Sequence, residues 1–271
     1  MTIPTEGKTQ LQRFRVPILL VGTAVLLIAA RALDTLVSGV PVLRLFVGIG
    51  AAAGAIVTYR WLSQRVENRE VTELAAAGRW HGLGRGVLIG AGTFLATMLL
   101  VSLFTDADFT SGSVWACLGV AGSMASVAVT EELLFRGVVH RVLEQRIGSI
   151  IAIAISSLLF GLTHLLNGNA TLWGTLAIAV EGGALLAIAY TATRSLWLPM
   201  GLHFAWNFTE SGVFGTAVSG AESESGLLRT VLSGPDVLTG GTFGPEASLF
   251  ALLCCLVPAV WLLRRVKLVT R

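Results

Sequence analysis

Apolar runs long enough to cross a lipid bilayer recur from one end of this chain to the other, and no other feature limits its fold as much. Eight spans can be read, at about 16–33, 41–62, 84–104, 113–135, 147–166, 172–191, 195–212 and 246–263. Each approaches the ~20 residues that a helix needs to cross the hydrocarbon core. In lipid only helices or closed barrels satisfy every backbone group, and no ten-residue alternating pattern is present, so strands are not expected. Charged residues make up 13% of the chain, against about 25% in soluble domains. The expected fold is therefore all-α: one polytopic membrane domain over 1–271, with about eight transmembrane helices.

Charge between the spans sets the orientation. Of the 19 Lys and Arg, 16 fall in alternate segments that would be cytoplasmic with the N-terminus inside, and only Arg31, Arg44 and Arg229 fall in the others. This asymmetry is what the positive-inside rule asks of a multi-pass protein of the cell membrane with both termini cytoplasmic. Lys8, Arg13 and Arg15 before the run from Val16 to Ala30, with "ARA" at 30–32, loosely resemble a signal peptide. The further spans favour a first transmembrane helix. The net charge of +3 and pI near 9.1 come without a basic stripe bearing aromatics, so the lipid bilayer is the expected partner and nucleic acid is not. Cys117, Cys254 and Cys255 form no CxxC pair and read as small buried hydrophobes. The charged segment 63–82 is expected to lie along the cytoplasmic face, and the Gly- and Ser-rich stretch 213–245 to form an outer loop.

Against this background, TEELLFRGVVH at 130–140 is costly. A charged side chain at a helix centre costs about 2.5–3.5 kcal/mol on insertion scales and usually faces a cavity or a partner. Glu132 and Arg136 are four apart on one helix face and can neutralise each other. Glu131 is rotated by ~100° from Glu132 and needs another partner. FGLTH at 160–164 supplies His164 on the next span. With a hairpin turning near Ile147 and Gly148, Glu131 and His164 each lie ~24 Å from the turn, at matched depth. HFAWN at 203–207 puts His203 and Asn207 on one face of a third helix. Glu181 is a further lone acid that either lines the same cavity or pairs with Arg194. The four polar groups are expected to line one cavity, open to the cytoplasmic side if the hairpin tip projects beyond the lipid.

A carboxylate beside a histidine can hold and deprotonate a water, and a histidine with an amide can donate to an oxyanion. Together these groups suit hydrolysis of an amide bond. Zinc is the alternative, with Glu131, His164 and His203 as ligands and an open position. Asn207 is no natural zinc ligand yet stands where a second oxyanion donor is useful, which favours a metal-free, cofactor-free water.

EELLFR, FGLTH and HFAWN match E-E-x-x-x-R, F-x-x-x-H and H-x-x-x-N in order, and SLWLPMGLHFAWN extends the likeness. Over about 69–208 the chain resembles the CAAX-protease and bacteriocin-processing family of intramembrane proteases, also called abortive-infection-like. The resemblance implies an endopeptidase that cleaves a membrane-associated, lipidated or hydrophobic protein or peptide. It makes Glu131 the base, His164 its partner on the water, and His203 with Asn207 the oxyanion stabilisers, while Glu132 and Arg136 are structural or substrate-facing. Two other readings share the membrane fold: a non-catalytic scaffold or bacteriocin self-immunity protein, and a proton-coupled transporter. The second asks for an inverted repeat, which the sequence lacks.

Overall fold

A computed structural model of the chain describes residues 10–222, 226–266, 268 and 269. Of the charged residues that set the expected orientation, Lys8, Lys267 and Arg271 lie outside the described residues, as does Glu224 of the 213–245 stretch. Six helices are long and apolar enough to cross a membrane: α1 Arg15–Val37, α2 Pro41–Glu67, α3 Arg79–Phe104, α4 Val114–Ile147, α5 Ser149–Leu166 and α6 Leu172–Thr193. The last two expected spans correspond to shorter helices, α7 Trp197–Asn207 and α8 Leu249–Leu263. At 15 residues α8 reaches ~22 Å, less than the ~30 Å hydrocarbon core. The chain is an all-α polytopic membrane protein, with six helices that meet the length for a span and two that fall short of it.

Successive helices run up and down, so the bundle has two unlike ends. At one end α2 begins, α5 passes into the loop 167–171, and the 213–245 segment folds over. The other end carries Arg69, Arg141 and Arg194. Glycines let the inner helices touch. A Cβ on Gly48 of α2 would stand 2.1 Å from the Gly122 carbonyl oxygen of α4, and one on Gly90 of α3 would stand 2.2 Å from that of Leu202 on α7. Association inside lipid relies on such close backbone approach, because lipid tails are as apolar as leucine. Apolar side chains such as Ile28, Val57, Leu88, Ile150 and Val257 face outward, as lipid contact requires.

One expectation about the segments between spans needs correcting. The chain does contain strands. Asp106–Ser111 (β1) pairs antiparallel with Leu228–Ser233 (β2), Asp106 facing Ser233. The bar on open strands applies only to backbone exposed to lipid, and this ribbon joins two connecting segments. The 213–245 stretch therefore holds β2, a helical turn at Asp236–Thr239 and two 3-10 turns. The 63–82 segment is shared among elements: α2 continues to Glu67, a 3-10 turn spans Thr72–Leu74, and α3 starts at Arg79.

An ion-pair network ties the arginine-rich end together. Arg69 donates to Glu67 (2.6 Å) and Glu73 (2.6 Å), and Arg141 donates to Glu67 (2.8 Å). Burial works against the charge of Glu73, but the hydrogen bonds and positive charge of Arg69 outweigh it and hold the carboxyl below the ordinary glutamate range. Arg194 pairs with Glu144, not with Glu181.

Candidate active site

The two adjacent glutamates sit just before a π-helical segment, Leu133–His140, inside α4. Single π segments inside α-helices often mark functional sites. One residue step turns the two side chains apart, and each meets a different set of partners. Glu132 is fully buried; its Oε1 accepts from Arg136 Nη1 (2.7 Å) and lies 3.0 Å from His203 Nδ1. A carboxylate only accepts, so Nδ1 is the donor and the His203 ring is oriented by Glu132. Arg136 also donates through Nη2 to the carbonyls of Gly182 (3.1 Å) and Gly183 (2.9 Å), and its guanidinium lies 4.6 Å from the centre of the Phe160 ring. Those carbonyls belong to a second π segment, Ala179–Ala184, in α6.

Glu131 faces the other way. Its Oε1 accepts from Arg31 Nη2 of α1 (3.1 Å), and its Oε2 lies 3.8 Å from His203 Nε2. That second separation is too long for a direct hydrogen bond. His164 lies near the end of α5, and its Nδ1 is 2.8 Å from the Phe160 carbonyl. A carbonyl oxygen only accepts, so Nδ1 carries the proton and Nε2 is left as the basic nitrogen. The Phe160 ring is packed against His164 (4.9 Å between centroids), His203 (5.9 Å) and Phe135 (5.1 Å). The first residue of F-x-x-x-H is thus the common wall of both histidines and Arg136.

Glu131, His164 and Asn207 line one cavity of about 80 Å³, with Arg31, Asp34, Asn167 and Glu222 at its mouth. This volume has room for several waters. Asn207 and His203 also line a smaller cavity of about 30 Å³, whose wall carries Glu181 and Glu246. The four expected residues therefore do not all line one cavity: Glu131, His164 and Asn207 share the larger one, while His203 lines only the smaller, 3.8 Å from Glu131, with Glu132 and Arg136 behind it. His140 is not among them: its ring bridges Ser156 Oγ (3.1 Å) and Thr191 Oγ1 (2.9 Å), tying α4 to α5 and α6.

The mouth corrects one expectation. It opens at the end of Asp34, Asn167 and Glu222, opposite the end of Arg69, Arg141 and Arg194. The chain does turn at Gly148, which takes φ 82°. His164, however, lies most of a bilayer away from that turn, next to the loop at the far end.

The sequence gives no site role to Arg31 or Glu246. Phe160 was visible as the first motif position. Arg31 has a signal as well: it is a lone cation at the end of a span, and the only partner the sequence offers Glu131 is a histidine. As for zinc, no three His, Cys, Asp or Glu side chains are grouped to hold one ion among the described residues. His203 turns its Nδ1 to Glu132.

Residues 113–209 match the family model described as type II CAAX prenyl endopeptidase Rce1-like. The segment runs from the start of α4 to just past Asn207 and includes every residue of the three motifs. Neither the curated proteins nor the solved structures yield a match to the chain.

Proposed function

Because residues 113–209 belong to the Rce1-like family of type II CAAX prenyl endopeptidases, we propose that this multi-pass membrane protein hydrolyses a peptide bond of a membrane-associated substrate with a water activated by Glu131. The observation that carries the reading is one cavity lined by Glu131, His164 and Asn207, with His203 against the same glutamate.

In the proposed reaction a water sits between Glu131 and the Nε2 of His164. Glu131 takes one proton as the water oxygen attacks the carbonyl carbon. The carbonyl oxygen becomes an oxyanion, which accepts from the Asn207 amide and the Nε2 of His203. To donate there, the His203 ring carries a proton on Nε2 as well as the one that Nδ1 shares with Glu132. The C–N bond then breaks, and the proton on Glu131 passes to the leaving amine. Glu132 and Arg136 touch no reacting atom; they hold His203 in register and fix α4 against α6.

Combined with the Lys/Arg asymmetry, the mouth faces away from the cytoplasm, so the substrate segment enters from the outer side of the cell membrane. Purified protein in detergent, given apolar and lipidated peptides, tests the reading. Wild type should cleave, Glu131→Gln should not, and Asn207→Ala should slow turnover by about 10²–10³ with substrate still bound. Full activity of Glu131→Gln would end the proposal.

A further inference from the structure

The base of the proposed reaction is occupied. Arg31 donates to Glu131 Oε1 at 3.1 Å; the Arg31 side chain is 51% exposed and that of Glu131 only 7%. A guanidinium bonded to a carboxylate favours its charged form and takes one of its acceptor positions, which makes it a poorer base for water. Arg31 lies on α1, outside the segment matched to the family. It stands at the mouth, on the path into the cavity. Asp34, which lines the same cavity, is already engaged, accepting from Arg44 Nε (2.8 Å) and Nη2 (2.7 Å) and from Ser123 Oγ (2.9 Å). Glu222 lines the same mouth and is exposed. Deep in the site, His203 Nε2 stays 3.8 Å from Glu131 Oε2 when Arg31 leaves.

We infer that Arg31 is the receptor for a carboxylate of the substrate, and that this carboxylate draws the guanidinium off Glu131 and so frees the base. The inference rests on the peptidase reading for the consequence but not for the binding. A planar guanidinium fork suits a carboxylate better than any other group, and a half-exposed side chain can swing toward the mouth without unpacking the bundle. The exchange swaps one ion pair for another and leaves Glu131 with His203 Nε2, 3.8 Å away, as its near polar neighbour. A peptide without an acidic group near the cleaved bond would leave Glu131 masked.

Two peptide pairs test this: one with a C-terminal carboxylate against its carboxamide, the other with Asp against Asn beside the cleaved bond. Whichever pair matters identifies the source of the carboxylate. Wild type should prefer the acid by about tenfold in kcat/KM, the scale of one charge-assisted contact at a half-exposed site. Arg31→Gln should lose the preference, and Arg31→Lys should keep part of it. Binding to Glu131→Gln, read by fluorescence anisotropy, gives the same comparison without turnover. An acid preference there that vanishes in the Arg31→Gln, Glu131→Gln double variant upholds the receptor even if no peptide is cleaved, in which case only the peptidase reading fails. Equal cleavage and equal binding of acid and amide, or a preference that survives Arg31→Gln, would overturn the inference.

Discussion

Glu131→Gln and Glu132→Gln should separate stability from chemistry, although the residues are neighbours. Glu132 is fully buried and holds both Arg136 and His203. Removing one member of a buried ion pair costs about 3–5 kcal/mol, because the other charge is stranded. Here glutamine keeps one acceptor oxygen, and Arg136 keeps two glycine carbonyls and the Phe160 face, so the low end applies, about 3 kcal/mol. For a chain of this size that lowers the thermal midpoint by about 6–10 °C. Glu131 loses its hydrogen bond to Arg31, which is half exposed and can turn to water, and its looser 3.8 Å approach to His203; the cost of the Arg31 pair is under about 1 kcal/mol after screening. Tryptophan fluorescence during heating at one fixed rate, with seven Trp as reporters, measures both variants in detergent. Peptide cleavage is the second reading: Glu131→Gln should be inactive at a near-native midpoint. Glu132→Gln should be unstable, and about 10² slower because His203 loses its orientation. Equal midpoints for the two variants would refute the division of roles.

Exhaustive chelation should leave cleavage unchanged; loss of activity restored by stoichiometric zinc would instead make Glu131, His164 and His203 ligands. In a chain whose three native cysteines are replaced, Glu222→Cys should react with a membrane-impermeant maleimide in intact cells and Arg146→Cys only after permeabilisation, whereas the reverse pattern would turn the mouth to the cytoplasm. The folded Glu73 carboxyl titrates below its unfolded value of about 4.3, so its contribution is whole above that pH and is lost as the pH falls through the folded pKa. The midpoints of wild type and Glu73→Gln should therefore differ above pH ~5 and converge in stronger acid, and a constant gap would show that Glu73 is not the group responsible.

The bundle was legible because apolar length is a direct physical requirement of the bilayer, and the three motifs were legible because polar residues are costly there. What stayed hidden depended on contacts remote in sequence. Arg31 was counted as a loop charge, although its partner stands a hundred positions on. The side on which the cavity opens was misjudged from a correct length. His164 does lie ~24 Å from the turn at Gly148, but that is most of the ~30 Å core, so the residue belongs to the far half unless the tip projects well beyond the lipid. The π segments had no sequence signature. Leu133–His140, Ala179–Ala184 and Phe208–Val213 have only Gly and Val in common, residues too frequent in this chain to mark them.

On the proposed reading the paired glutamates answer a conflict that one carboxylate cannot resolve. To keep His203 and Arg136 in place, a buried glutamate has to remain charged throughout the cycle, since protonation would strand the guanidinium. To activate a water, a glutamate has to accept a proton and give it up again. One helix step divides these duties. Its ~100° rotation sends Glu132 into the wall, against Arg136 and His203, and Glu131 into the cavity, where water and the removable Arg31 are the alternatives. The wall is rigid because Arg136 reaches into the π segment of α6, where it finds two backbone carbonyls as well as its carboxylate. The cavity side is adjustable because its cation comes from α1, a helix that faces lipid over most of its surface.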